Sequence, residues 1–238
     1  MSVQGVILDI DGTLVLSNDA HAHAWVRAYV DYGYTIPFER VRPLIGMGGD
    51  RLLPRLTPNL TTESGTGKDI SQRRKEIFLQ EFAPSLQTAP GARRLVEEMQ
   101  RRGLRTVVAS SATRDELETL LRAARVDDLL RETTTKDDVS DSKPAPDAVQ
   151  VALEKIGLPP DACVMVGDTP YDIESAAKAG VPVVAVRCGG WDDAHLSGAV
   201  AIYADPADLL DHYDTSPLVA HPPETPGSAT LEAPDSPA

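Results

Sequence analysis

Two aspartates, Asp9 and Asp11, follow directly after the apolar run 6–8 near the start of the chain. The run predicts a buried strand, so both carboxylates would stand at the carboxyl end of a strand, where α/β proteins open their ligand crevices. Two carboxylates this close repel each other unless a cation binds them or a reaction at phosphorus uses them. The pair therefore indicates metal binding or phosphoryl chemistry.

Three further groups of polar residues occupy comparable places later in the chain. They are Ser110 and Ser111 after a second apolar run, Lys143 in a Ser-Lys-Pro segment, and Asp168 and Asp172 after a third run. With the first pair, they supply carboxylates, an ammonium group and a hydroxyl. Phosphoryl transfer needs this set, because a carboxylate nucleophile can form an aspartyl-phosphate while cations and donors hold the phosphoryl oxygens. An all-oxygen ligand set of this kind suits Mg²⁺.

Short apolar runs rich in Val, Ile and Ala predict the strands that position these residues. They are Gly5 to Ile10, Arg105 to Ala109, Ala162 to Val166, Val183 to Val186 and Ala199 to Tyr203. The runs lack polar alternation, which is typical of parallel strands covered on both faces. Helical patterns separate the later runs, so we predict an α/β fold with a doubly wound parallel sheet.

The alternation is interrupted once, after the first strand. Residues 17–87 show helical patterns without a strand of the same type, and they predict a helical cap inserted into a core formed by residues 1–16 and 88–214. Within the cap, we expect residues 61–67 to form a polar loop and Gly65-Thr66-Gly67-Lys68 to be flexible. Residues 215–238 are rich in proline and poor in apolar residues, so we expect a disordered tail.

Composition limits the possible partners and the compartment. The 238 residues carry a net charge of -13, which disfavours binding to nucleic acid or to an anionic membrane. The two cysteines, Cys163 and Cys188, lie in or beside apolar runs without a metal-ligand spacing, and we expect two buried free thiols. We find no leader or transmembrane pattern and expect a cytoplasmic protein. The sequence does not indicate an oligomeric state.

The chain resembles the haloacid dehalogenase superfamily. The resemblance rests on D-x-D-G-T-L at residues 9–14, the hydroxyl at Ser110, S-K-P-x-P-D at residues 142–147 and G-D-x-x-x-D at residues 167–172. It implies a Rossmann-like core with the first strand at the centre of the sheet. The helical insertion is similar to that of the subgroup with a small helical cap.

The resemblance also implies roles for the matched residues. Asp9 corresponds to the nucleophile and a Mg²⁺ ligand, and Asp11 to the general acid and base, with its carbonyl on the metal. Ser110 corresponds to the hydroxyl that binds phosphate, with Ser111 beside it as a further substrate-binding residue. Lys143 corresponds to the lysine that steadies nucleophile and phosphate, and Asp168 to the third metal anchor.

For Asp172, the resemblance implies a supporting carboxylate, either in the outer shell of the metal or paired with the lysine. The cap residues Gly48 and Gly49 lie in a stretch that faces the active site in similar proteins, so both are candidates for substrate contact. His21 precedes Trp25 by four residues, a pattern similar to that of capped phosphatases and mutases, and it is expected near the mouth of the site.

Other cap residues have a simpler alternative. We expect His23 to pack within the cap. The basic residues Arg51, Arg73, Arg74 and Lys75 could attract an anionic substrate, but such a run more often forms a solvated helix face.

The expected reaction depends on Asp11. Within the superfamily, dehalogenases and phosphonatases lack this aspartate, so its presence favours chemistry on phosphate esters. A phosphatase acting on a small phosphorylated metabolite is the leading hypothesis. A sugar phosphomutase is the alternative, although the chain has no lysine shortly after Ser110 and has Gly48-Gly49-Asp50 before Arg51, both departures from the mutase pattern. A binding module without catalysis fits less well, since Asp9 and the lysine are both present.

Overall fold

The computed structural model describes residues 3–219 of the chain. Its centre is a six-stranded parallel sheet, in the order β3-β2-β1-β4-β5-β6. The strands are β1 (Gly5–Leu8), β2 (Arg105–Ala109), β3 (Thr133–Thr134), β4 (Cys163–Gly167), β5 (Val183–Val186) and β6 (Ala201–Tyr203). The expected α/β sheet is therefore confirmed, with β1 between β2 and β4 near its centre, and β3 is an additional edge strand.

Helices occupy the segments between the strands. The α-helices are α1 (Asn18–Asp31), α2 (Phe38–Val41), α3 (Gly49–Leu56), α4 (Gly65–Ile77), α5 (Ala92–Arg101), α6 (Arg114–Ala123), α7 (Asp147–Ile156), α8 (Pro170–Lys178) and α9 (Pro206–Asp211). Helices α1 to α4 form the inserted cap. None of the helices in this described part of the chain combines the length and apolar character needed to cross a bilayer.

The sheet is covered on both faces, as its apolar strands require. Side chains alternate between faces along a strand. Val6 and Leu8 accordingly belong to one apolar cluster, and Ile7 belongs to a second cluster on the other face. The first cluster also contains cap residues such as Trp25 and Tyr29, so cap and core share a continuous apolar interior.

The cap departs from the sequence-based expectation in one place. Residues 65–68 form the first turn of α4 rather than a flexible loop. Gly67 lies so close to the backbone of Thr61 that a Cβ there would stand 2.2 Å from the Thr61 carbonyl oxygen. Gly67 therefore allows a tight approach of two backbone segments, which explains a glycine here without a flexible loop.

The two segments that join cap and core run side by side. The Leu16 amide donates to the Gln87 carbonyl and the Ala89 amide donates to the Leu14 carbonyl, both at 2.9 Å. Entry to and exit from the cap are thus hydrogen-bonded to each other.

The end of the described chain remains packed beyond residue 214. Leu218 is only 2% exposed and belongs to the main apolar cluster, so the expected disordered tail does not begin at residue 215. The rest of that tail, 220–238, lies outside the described residues. Of the two free thiols, Cys163 is buried as expected, whereas Cys188 is only partly buried.

Candidate active site

The carboxyl ends of three adjacent strands bring the predicted polar residues together. Asp9 follows β1, Ser110 follows β2 and Asp168 follows β4. All three side chains are buried, at 6%, 1% and 0% exposure. Because the strands are parallel neighbours, residues far apart in the sequence meet at one edge of the sheet.

Lys143 reaches this edge from the loop that precedes α7. Its Nζ atom lies 2.6 Å from Asp9 Oδ1 and 2.7 Å from Asp172 Oδ1, and the side chain is 1% exposed. Burial opposes the charge on this ammonium, yet the two carboxylates hold the pKa of Lys143 above its usual value. Lys143 thus forms a buried ion pair with Asp9 and Asp172 together.

Burial raises the pKa of Asp9 to about 7, with repulsion from Asp172 and Asp11 adding to the effect and Lys143 opposing it. Burial likewise raises the pKa of Asp168, reinforced by Asp9 and Asp172 and opposed by a hydrogen bond from Asn18. Both shifts have the same cause, a concentration of carboxylates away from water. A cation among them would stabilise their ionised forms.

Two residues not singled out from the sequence orient these carboxylates. The Thr13 hydroxyl lies 3.0 Å from Asp9 Oδ2 and 3.2 Å from Asp168 Oδ1, within donating distance of either. Asn18 Nδ2 donates to Asp168 Oδ2 at 2.8 Å and to the Gly189 carbonyl at 3.0 Å. Asn18, a buried polar residue in the first turn of α1, therefore ties cap to core, and its position four residues after the first motif was the available signal.

The donor set fits a metal ion. Carboxylate oxygens of Asp9, Asp168 and Asp172 lie within 4.8 Å of one another, and all three residues are buried. One ammonium, that of Lys143, offsets only part of their charge, so a divalent cation would balance the remainder. Hard carboxylate oxygens are the ligands that Mg²⁺ and Ca²⁺ prefer.

Asp172 also caps a helix, in addition to its place in this cluster. Its Oδ2 atom accepts hydrogen bonds from the Thr169 amide at 3.0 Å and the Thr169 hydroxyl at 2.7 Å, forming the capping box of α8. Its Oδ1 atom pairs with Lys143. Of the two roles left open for this carboxylate, the geometry favours pairing with the lysine.

Asp11 lies beside the cluster and is held from the cap. The Ser17 hydroxyl donates to its Oδ1 atom at 2.5 Å, and His21 Nε2 lies 2.8 Å from the same oxygen. Burial works against ionisation, but His21 and Ser17 outweigh it and lower the pKa of Asp11. His21 therefore contacts the proposed acid and base directly.

A second ion pair, which sequence reasoning missed, spans cap and core close to His21. Arg74 of α4 pairs with Glu116 of α6, whose side chain is fully buried, and the Arg74 guanidinium lies 5.2 Å from the centre of the Trp25 ring. Arg74 Nη1 also lies 3.4 Å from His21 Nδ1. Burial opposes the charge of Glu116, but Arg74 outweighs it and lowers the pKa of this carboxyl.

The other three basic residues of the cap singled out from the sequence form surface ion pairs. Arg51, Arg73 and Lys75 each pair with an aspartate at the protein surface. His23 is exposed, and its ring lies 4.6 Å from that of Phe38, so it contacts the cap at the surface rather than within it. Arg51, Arg73 and Lys75 follow the simpler interpretation, and Arg74 does not.

The remaining candidate substrate-binding residues are two serines of the core and two glycines of the cap. The Ser110 hydroxyl accepts a hydrogen bond from the Ala112 amide at 3.1 Å, and the Ser111 hydroxyl donates to the Gly46 carbonyl at 3.4 Å. Gly49 lines a cavity that lies beneath the cap beside Asp9 and Asp11. Gly48 instead packs on Ser142, where a Cβ would stand 2.1 Å from its Oγ atom.

This cavity beneath the cap is small, with a volume of about 50 Å³. Its lining includes Asp9 and Asp11 on the core side, His21 and Arg74 on the cap side, and Glu116 at the boundary. The cavity is thus acidic at one end and carries an ion pair at the other.

Known proteins share this architecture. The sequence profile of the haloacid dehalogenase-like hydrolases matches residues 6–186. A phosphoglycolate phosphatase of Rhodospirillum rubrum is 29% identical over 217 residues, covering 87% of this chain and 90% of that protein. The chloroplastic protein SUPPRESSOR OF QUENCHING 1 of Arabidopsis thaliana is 29% identical over 213 residues, 88% of this chain, but the chain spans only 20% of that protein.

A solved structure shows the same fold over almost its full length. A hydrolase from Pseudomonas syringae superposes with a TM-score of 0.83 at 31% sequence identity, covering 89% of this chain and 98% of the other. The profile match spans the cap, most of β1, strands β2 to β5 and the strand-end residues described above, whereas β6 lies beyond it. The chain therefore belongs to the haloacid dehalogenase-like hydrolases.

Proposed function

We propose that this protein is a magnesium-dependent phosphatase that hydrolyses a small phosphorylated metabolite through an aspartyl-phosphate on Asp9. The observation that carries the proposal is the buried Asp9 carboxylate, held 2.6 Å from Lys143 at the floor of a cavity that Asp11 also lines. The phosphoglycolate phosphatase among the relatives supports a small phosphate ester as substrate.

In the first step, a carboxylate oxygen of Asp9 attacks phosphorus and the bond from phosphorus to the leaving oxygen breaks. Asp11 donates a proton to that oxygen. Asp11 must be protonated at this stage, and an anionic phosphate bound beside it would raise its pKa. Lys143 and the Ser110 hydroxyl hold the phosphoryl oxygens, whose charge they stabilise in the transition state.

In the second step, Asp11 removes a proton from water, and the resulting nucleophile attacks the phosphorus of the aspartyl-phosphate. Phosphate leaves and Asp9 is regenerated. The hydrogen bonds from Ser17 and His21 favour the ionised form of Asp11 that this step requires. One residue therefore serves as acid and then as base.

Asp9 and Asp168 would hold the metal, with the Asp11 carbonyl completing the protein ligands implied by the family. Mg²⁺ would supply positive charge that lets an anionic nucleophile approach an anionic ester. Thr13 and Asn18 keep the two carboxylates in place.

Phosphate release from p-nitrophenyl phosphate tests the proposal. We expect turnover that needs Mg²⁺ and that Asp9→Asn abolishes, because an amide cannot form the acyl-phosphate. Asp19→Asn, in the first turn of α1 with 73% of the side chain exposed, is the control and should retain activity. Appreciable turnover by the Asp9 variant would reject the nucleophile assignment.

The same preparation separates phosphatase from mutase. A phosphatase releases inorganic phosphate from a sugar phosphate, whereas a mutase would convert it into an isomer and depend on a sugar bisphosphate. Isomer formation without phosphate release would replace the hydrolytic proposal with the mutase alternative.

A further inference from the structure

The end of the cavity opposite Asp9 carries a matched pair of charges, Arg74 from the cap and Glu116 from the core. The exposed fractions of the two side chains are 12% and 0%. A fully buried carboxylate is unexpected in a cavity that must accept an anionic ester, since it repels the ligand. Its presence therefore calls for an explanation in terms of the rest of the substrate.

The pair is rigidly held and keeps spare hydrogen-bonding capacity. Glu116 Oε2 accepts from the Thr113 amide at 3.2 Å and the Thr113 hydroxyl at 2.8 Å, which closes the capping box of α6. The Trp25 ring lies against the Arg74 guanidinium. Among the described residues, Arg74 Nε is buried without a hydrogen-bond partner. Glu116 Oε1 accepts from Arg74 alone and retains a lone pair.

We propose that Glu116 and Arg74 select an uncharged, hydroxyl-bearing leaving group and discriminate against one that carries a carboxylate or a second phosphate. The inference rests on the proposed phosphatase activity and specifies its substrate class.

The charges around the pair support this selection. Glu116 balances Arg74, so this end of the cavity offers no net positive charge to an anion. The neighbouring His21 lies between Arg74 and Asp11 and contacts both. A hydroxyl could accept from Arg74 Nε and donate to Glu116, whereas a carboxylate could only accept. Like charges placed together away from water are a strong means of rejecting the wrong ligand.

The small cavity suggests two probe substrates of nearly equal size. The cavity has a volume of only about 50 Å³, so the two probes are chosen to be compact. The probes are 2-hydroxyethyl phosphate and 2-phosphoglycolate, which differ in a terminal hydroxyl against a terminal carboxylate. Their ratio of kcat/KM isolates this difference, because the phosphoryl chemistry is common to both.

For the unmodified protein, we expect kcat/KM to favour 2-hydroxyethyl phosphate by at least about tenfold. Glu116→Gln should shift the ratio toward 2-phosphoglycolate by at least about tenfold, because it leaves Arg74 uncompensated. Glutamine also serves in a capping box, so the start of α6 is preserved. A change that only loosened the structure would lower both values without changing their ratio.

Asp115→Asn is the matched control, since it removes a carboxylate from a cap–core ion pair with Lys75 at the surface, on the same helix. It should leave the ratio within about twofold of the original. Arg74→Gln gives a second test if the Glu116 variant does not fold. This change should shift the ratio by about tenfold in the opposite direction, toward the hydroxyl substrate.

The outcomes distinguish this inference from the function on which it rests. Phosphate release with a ratio that neither variant changes would overturn the role of the pair and leave the phosphatase intact. A preference of the unmodified protein for 2-phosphoglycolate would do the same. If the protein releases phosphate from neither probe nor from p-nitrophenyl phosphate, the proposed function fails, and the inference fails with it.

Discussion

Replacing Lys143 by methionine should destabilise the protein strongly. The ammonium is 1% exposed and pairs with Asp9 at 2.6 Å and Asp172 at 2.7 Å. Methionine keeps much of the side-chain volume but leaves two buried carboxylates without their cation. Breaking a buried ion pair on one side costs about 3–5 kcal/mol. For a chain of this size, each kcal/mol corresponds to roughly 2–4 °C, so we expect Tm to fall by about 6–20 °C.

The measurement is thermal or urea unfolding of both proteins in the presence of a chelator, so that a metal ion does not compensate for the lost charge. Lys178→Met is the control, because Lys178 pairs with Glu174 at the surface with 46% of its side chain exposed. That change should cost less than about 1 kcal/mol.

A double variant tests the cause. Adding Asp172→Asn to Lys143→Met removes one of the two uncompensated carboxylates, so the double variant should be more stable than the sum of the single changes predicts. A loss below about 1 kcal/mol for Lys143→Met, or strictly additive effects, would refute the reasoning that the ammonium is the essential counter-charge of this edge.

Two other predictions follow from the structure. Gly189→Ala should reduce phosphatase activity at least about tenfold, since the new Cβ would stand 1.7 Å from Asp168 Oδ2 and must displace that carboxylate; undiminished kcat/KM would contradict this. Arg101 and Arg102 hold the pKa of Glu98 at about 2, so its stabilising effect is present above its ordinary pKa near 4.5 and disappears as the pH falls toward 2. Lowering the pH over this interval should therefore reduce the free energy of unfolding more in the unmodified protein than in Glu98→Gln. Parallel curves of this free energy against pH would show that the two ion pairs contribute nothing.

Periodicity and local motifs predicted the sheet and its polar edge, because both depend on short stretches of sequence. The apolar runs mark β1, β2 and β4, and parallel pairing then brings Asp9, Ser110 and Asp168 to one edge. Strand β3 has only two residues, too few for any repeating pattern. Helix α3 contains Pro54, a residue that argues against a helix in sequence-based reasoning.

The ion pair at the far end of the cavity could not be read from the sequence. Arg74 stands in a basic run whose other members lie at the surface, and Glu116 has the position of an ordinary capping residue at the start of a helix. Their meeting depends on how the cap sits on the core. The same holds for Asn18, since its contacts with Asp168 and Gly189 join segments separated by 150 and 171 positions.

The cap is an exchangeable module because its two linkers run side by side and are hydrogen-bonded to each other. Leu14 and Leu16 on the way out are bonded to Ala89 and Gln87 on the way back, and no strand of the sheet lies between them in the chain. Joining such adjacent ends by a short turn adds little loop-closure cost. Mutation and recombination can therefore alter ester preference through one continuous stretch of the gene, while the flanking stretches that encode the nucleophile and its lysine stay unchanged.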